Sequence, residues 1–599
     1  MNTRYRNLAE SEIEKLERAG NYAEDWSAIL VTDLFCVECL RNNYFDGEVR
    51  LGAVENAKTA DGDLTLREGI YNSTLCNITV GDHPTIHNVR MLSNYTLGDN
   101  VLLFNIEEMT CTTDPHDIAW LEPMNENGGR RLLPYGDMRI GDAYLWARYR
   151  GRKKFMEKLE QFTYDVLATD KGRYGRVGDY CVIKNTKTLH NVIVNSSFFD
   201  KTRIDGCIVL SDGVVSSGCT LEYGVIAVRF LLGEHVHLEF GLRLNDTVVG
   251  DNSTLARCEV GNSIIFPAHE QHHNNSFLIA GLIMGQSNIA AGGTIGSNHN
   301  SRTADNEIAA GRGFWPGLCC SFKHSSRFAS YCLLAKGDYP AELDITLPFA
   351  LVNNNTAKDQ LEVMPAYWWM YNMYAMDRNS KKFAKRDKRV VKSQHIEFDN
   401  LAPDTAEEIL HGMELLRGWM AKAKDGVVLA DGMEKGKRKT VILKAAEGLK
   451  AYEEMLIFYA MKTLDAAYGQ SLPPATLAGD RVSEWVNIGG QLIQKVNIET
   501  LINEVERGII NSWDKLHTRL SSFWGDYYKE CKCKHAYAVL CKLAGVDELD
   551  ETLWQRYLQR YADIQAYIEE QKIASRHKDD INPFRNMTYW DDAERDAVL

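Results

Sequence analysis

No stretch of this sequence approaches 18 uninterrupted apolar residues, so no membrane-spanning helix and no membrane partner are expected. The start, MNTRYRNLAESEIEKLE, lacks the apolar core that a secretory signal needs, and none is expected. Positive charge is also short: 68 Lys and Arg stand against 82 Asp and Glu, a net charge of −14. That balance argues against a nucleic-acid backbone as partner, which would call for a basic face. The 14 cysteines follow no framework of spacings, and Cys207, Cys219 and Cys258 lie in apolar, strand-like text. They read as buried free thiols in a reducing compartment, hence a cytoplasmic protein. Cys531, Cys533 and His535 lie in helical-looking text that would spread them around the axis, so no metal is expected there.

What is present is a beat of six. Phe277, Ile283, Ile289 and Ile295 fall six apart, with small or polar residues between them. This period fits neither a helix stripe nor strand alternation. It predicts a β-solenoid with triangular coils, each side turning one aliphatic residue inward. An aliphatic-Gly-Asp motif recurs at Val80, Leu97, Ile140, Val177 and Val249, and the step from Val80 to Leu97 is near three six-residue sides. Glycine followed by Asp suits a corner needing positive φ or side-chain capping. At 599 residues more than one domain is expected.

The chain divides accordingly. Residues 1–45 read as an N-terminal cap and 46–345 as the solenoid, a parallel β-helix, with insertions near 107–137 and 151–172. Residues 346–400 read as a linker whose basic run, 381–392, is a solvated segment. Residues 401–599 form an all-α domain, since apolar residues there recur three to five apart. The tail after Arg576 reads as an extended strap with aromatic anchors. The fold class is thus a β-solenoid followed by a helical domain, mixed β and α.

Histidines gather where the beat is cleanest: His269, His272 and His273 in PAHEQHHNNS, and His299 in TIGSNHNSR. An imidazole near its ordinary pKa suits a general base, and Asn274, Asn275, Asn298 and Asn300 suit substrate orientation or oxyanion binding. Lys323, His324, Arg302, Arg312 and Arg327 form a basic group suited to a phosphate. His235 and His237 alternate as on one strand face and read as an outward polar pair.

The six-residue repeat resembles the hexapeptide-repeat superfamily of left-handed parallel β-helix proteins. Within it, SNIAAGGTIGSNHNSR is similar to the acetyltransferase half of bacterial N-acetylglucosamine-1-phosphate uridylyltransferases, with His299 where that family has Tyr and one extra Gly before Thr294. The complete layout resembles a group of Bacteroidetes β-helix proteins without assigned activity. The resemblance implies a trimer and an acyltransferase acting on a sugar or sugar-phosphate, with acyl-CoA as co-substrate and no tightly bound cofactor. It implies His272 or His273 as base, with Asn298 and His299 in the catalytic group. Asn275, Asn300, Arg302, Lys323 and Arg327 would hold substrate or coenzyme A. Two alternatives stay open: a metal lyase similar to γ-class carbonic anhydrases, with His269, His272 and His299 as ligands, and a non-catalytic scaffold.

Overall fold

A computed structural model describes residues 4–169, 175–296 and 306–598. Its first part is a set of short strands in parallel ladders, each strand paired with one a repeat further along. One ladder joins Ile183, Ile204, Leu221, Leu238, Leu255 and Gln271. A second joins Leu189, Leu210, Ala227, Leu244, Val260, Leu278 and Ile295. A third joins Ile193, Val214, Leu231, Val248, Ile264 and Leu282. Every one of these residues is buried. Each ladder is therefore a column of side chains removed from water, worth roughly 25 cal/mol per Å² of apolar surface. Ile283, Ile289 and Ile295 of the six-residue beat are fully buried, whereas Phe277 is half-buried and Leu278 takes its inward place. The step from Leu278 to Ile283 is one residue short of the beat.

The aliphatic-Gly-Asp motif uses the side-chain capping half of the expectation and not the positive-φ half. Gly81 and Gly98 are not among the residues with positive φ. What demands glycine is close approach, since a Cβ on Gly81 would lie 2.5 Å from Asp99 Oδ1. That aspartate accepts the backbone N–H of Asp82, 17 residues earlier, at 2.7 Å, and Asp251 does the same for Glu234 at 3.0 Å. The carboxylates tie one repeat to the next. Positive φ belongs to a different corner, where Asn42, Asn72 and Asn88 take left-handed backbone and pass amide hydrogen bonds of 3.1 Å along the stack.

Ahead of the parallel region lies helix α1 (Glu10–Arg18), with Ile29–Val31 in parallel register on Val49–Leu51. Thr110 and Gly175 are each in parallel ladders, and between them the chain makes one excursion carrying α2 (Ile140–Arg148) and α3 (Lys153–Thr169). Ile140-Gly141-Asp142, read from the sequence as a repeat corner, is the first turn of α2. Asp142 caps that turn by accepting the Arg139 N–H at 2.8 Å, so its carboxylate serves a helix end and not a ladder.

The parallel ladder runs on to Val352, after which Leu351–Asn355 turns back antiparallel on Gln360–Met364. The segment read as a solvated linker contains α4 (Met373–Arg386), and its basic residues are engaged. Lys382 and Arg386 pair with Glu270, and Arg389 is buried against Asp251 and Asp387. The carboxylates of the preceding region supply the partners that pull the run inward. Helices α5 (Pro403–Ala421), α6 (Ala445–Tyr468), α7 (Trp513–Asp526), α8 (Lys532–Ala544) and α9 (Glu551–Asp580) make up most of the last part. The chain is thus a large parallel β region followed by a helical region.

Buried charge joins the two. Arg312 forms a two-pronged pair with Asp404 at the start of α5, at 2.7 and 2.8 Å. Glu397 accepts from Lys532 at 2.8 Å and Tyr527 at 2.6 Å. Removing one member of such a pair costs about 3–5 kcal/mol, because the other is left buried and unpaired. Among the described residues no helix is long and apolar enough to cross a membrane. The tail departs from the expected strap: α9 runs to Asp580, and Phe584 and Trp590 are exposed.

Candidate functional site

A cleft of about 620 Å³ opens where the excursion and α7 meet the parallel region. Its parallel-region wall carries Gly178, Gly233 and the serines Ser196, Ser216 and Ser217, and the excursion brings Gly136 and Arg139. Its volume lies within the range of small-molecule sites, about 300–1,000 Å³.

Asp142 and His517 meet at this cleft. Asp142 is fully buried and its Oδ2 accepts from His517 Nε2 at 2.7 Å, with Tyr135 Oη at 3.4 Å. Asp142 Oδ1 is buried without a hydrogen-bond partner. The contact puts the imidazole proton on Nε2 and leaves Nδ1 as the basic nitrogen, on a residue that lines the cleft. Trp513, one turn earlier on α7, packs beside the imidazole and is itself stacked on Tyr135 at 5.1 Å. Carboxylate and ring thus hold the imidazole in one orientation.

Glu234 lines the same cleft. Its carboxylate accepts from Ser393 Oγ at 3.0 Å and lies 3.8 Å from Arg389. Burial, then the neighbouring Asp251 carboxylate, push Glu234 up to about 7, so the group exchanges its proton near neutrality. Arg389 is tied chiefly to Asp251 at 2.5 Å and Asp387 at 2.8 Å, which leaves Glu234 with the weaker share of that charge.

The histidine-rich segment has another character. His269 is fully buried, with Nδ1 2.8 Å from Ser287 Oγ and Nε2 3.2 Å from Gln271 Oε1. Burial lowers it to about 4, which keeps it neutral, and both its nitrogens are spent on side chains, so it is not free to ligate a metal. The rings of His272 and the exposed His273 lie 4.5 Å apart and tilted by 47°, and burial lowers His272. Asn275 is an exposed left-handed turn residue. Lys323 lies 3.4 Å from Glu342, Arg327 grips Asp344 with two 2.8 Å bonds, and Arg312 is buried on Asp404. These three cations of the expected phosphate group therefore each have their own carboxylate. Asn298, His299, Asn300 and Arg302 lie outside the described residues.

His235 pairs with Asp200 at 2.8 Å, and His535 bridges Tyr459 and Glu407 at 2.8 Å each. Among the described residues no three His, Cys, Asp or Glu side chains stand together as a metal set. Of the residues at this cleft, Glu234 and His517 were not singled out in the sequence, and Asp142 was read only as a repeat corner. One signal was legible: His517 sits on the apolar stripe of α7 with Trp513, Leu516 and Leu520, and a histidine there must find a polar partner inside.

Parallel ladders, a helical region and a polar cleft between them with a carboxylate-held imidazole define a two-part protein with a cleft of ligand size. The chain belongs to the family described as domain of unknown function DUF4954, whose model matches residues 5–420. A second domain of unknown function, DUF6819, matches residues 470–565. A Treponema pallidum (strain Nichols) protein, described as an uncharacterized protein, is 41% identical over 657 residues, covering 99% of this chain and 90% of its own. These matches correct both resemblances: the short stretch from the histidines to Arg302 does not place the chain among hexapeptide-repeat acyltransferases, nor does its layout place it among the Bacteroidetes β-helix proteins. The cleft is lined by Arg139, Arg176 and Glu234 of the first matched domain and by His517 of the second, which the buried Asp142 of the first holds by its hydrogen bond.

Proposed function

We propose that this protein is an enzyme performing general acid–base chemistry on a small polar molecule held in the cleft. His517 is the base: Nδ1 takes a proton from a substrate hydroxyl or a water, and Asp142 steadies the imidazolium that results. Glu234, half protonated near neutrality, returns a proton to the departing or carbonyl oxygen. Such a pair of proton carriers typically contributes about 10²–10⁴ in rate for each group. The observation that carries the reading is the 2.7 Å Asp142–His517 bond beside a cleft of ligand size.

The parallel region serves in this reading as a β-solenoid, and the repeated 17-residue steps between tied residues support that. Stacked repeats make a rigid wall on which Glu234 and the serines keep their spacing. The free thiols favour a reducing compartment such as the cytoplasm.

The test is turnover of a polar metabolite extract, with and without added acetyl-CoA, followed by mass spectrometry. Wild type should consume some compounds and form others, and H517A should do neither while an H272A/H273A variant matches wild type. An extract left unchanged by wild type, or changed equally by H517A, refutes the reading. Loss confined to the H272A/H273A variant with acetyl-CoA present would return the chemistry to acyl transfer at the histidine pair.

A further inference from the structure

The cations of the cleft carry a second conclusion, which rests on the reading of the cleft as the active site. In this acidic protein the arginines near the parallel region are mostly matched to carboxylates: Arg203 with Asp61, Asp205 and Glu222, Arg229 with Asp246, Arg312 with Asp404. In the cleft the match is weaker: Arg139 has no carboxylate partner among the described residues, and Arg176 has one only in the exposed Asp137. The side chain of Arg139 is half-buried and makes no hydrogen bond or ion pair with any described residue. Arg176 spends one hydrogen bond on the neutral Asn195 amide oxygen at 3.0 Å and stands 3.5 Å from the exposed Asp137.

Arg176 is nonetheless held in place. A Cβ on Gly136 would sit 2.5 Å from its Nη2, so glycine there leaves the guanidinium its seat. The Asn195 that steadies it is anchored by donating to Gly136 O at 2.6 Å. A partly desolvated, pre-positioned guanidinium without a full counter-charge is built for an oxyanion, which it binds through two parallel N–H bonds.

The rest of the lining says what accompanies the charge. Ser216 and Ser217 are half-buried, and their hydroxyls bond to no described residue. Asp137, Asp179 and Asp514 lie on the same cleft. These carboxylates accept hydroxyl hydrogens and repel a second negative group, which excludes a polyanion such as a nucleoside triphosphate. We infer that the cleft binds a small polyhydroxylated molecule with a single oxyanion group, a sugar phosphate or a sugar acid, gripped by Arg139 and Arg176 with its hydroxyls on Ser216 and Ser217.

Calorimetric titration with glucose 6-phosphate, gluconate and neutral glucose tests this on wild type, R139Q, R176Q and S216A/S217A, each first checked for an unchanged melting temperature. One of the two anions should bind, and neutral glucose should bind at least roughly ten-fold more weakly. R139Q and R176Q should each weaken the anion by a similar roughly ten-fold step, and S216A/S217A by a few-fold. Binding of gluconate alone identifies a carboxylate, and of glucose 6-phosphate alone a phosphate. No binding of either anion at millimolar concentration, anion binding unchanged in R139Q and R176Q, or glucose binding as tight as the anions overturns the inference. Anion binding by wild type that persists while wild type turns nothing over would sink the catalytic reading and leave this one standing.

Discussion

Replacing Glu234 with glutamine should stabilise the protein above neutral pH and leave it unchanged in acid. The carboxyl group titrates near 4.5 in an open chain and is pushed to about 7 in the fold, by burial first and by Asp251 second. Between those two pH values the folded state keeps a proton that the unfolded state has released. Stability therefore falls as pH rises from about 4.5 to 7 and stays down above it, by about 3 kcal/mol in all. Glutamine is neutral throughout and escapes that loss, while Arg389 keeps Asp251 and Asp387 as its closer partners. Glu408, also pushed to about 7 by burial, is present in both proteins and cancels from the difference. If the chain melts as one unit, about 3 kcal/mol moves the midpoint by some 2–3 °C at this length. Calorimetry from pH 4.5 to 8.5 should show the two proteins melting together in acid and E234Q melting higher from pH 7 upward. A midpoint difference that does not grow with pH, or has the opposite sign, refutes the assignment of a buried, elevated carboxyl at this position.

Other outcomes follow from the same structure. R389M leaves Asp251 and Asp387 buried without their cation and should cost about 3–5 kcal/mol, read as a lowered denaturation midpoint. Gly213 faces the Phe230 ring one repeat on, and an alanine Cβ there would meet ring carbons at 2.6 Å. G213A should lose about 1–3 kcal/mol in the same assay, and G213A/F230L should recover part of it. Among the described cysteines Cys319 is exposed, while Cys181, Cys219 and Cys332 are fully buried with their thiols pushed up by burial. A thiol reagent on native protein should label Cys319 first, and C319S should remove the fast phase.

The sequence by itself determined the two-part character of the chain. Columns such as Ile204, Leu221, Leu238 and Leu255 are apolar because every repeat must turn one residue away from water, and that demand is local enough to leave a period in the text. The later helices wrote their own spacing for the same reason. Close packing was half legible: glycine and aspartate marked the corners, but only the structure showed that Asp99 reaches back to Asp82 and that Gly81 makes room for it. The segment richest in histidine drew the eye because it lies in the cleanest repeats, yet His269 proved a satisfied core residue there.

The cleft was decided by tertiary structure alone. Asp142 and His517 stand 375 residues apart, and the aspartate sits inside a motif that looked like one more corner. No period records such a meeting, because it depends on where an excursion and a distant helix are packed against the ladder. The charge state of Glu234 is likewise set by burial and by Asp251, one repeat away in sequence but adjacent in space. Periodicity reports which side of each residue faces the core, whereas a site needs unlike segments brought to one place, and only the packed chain does that.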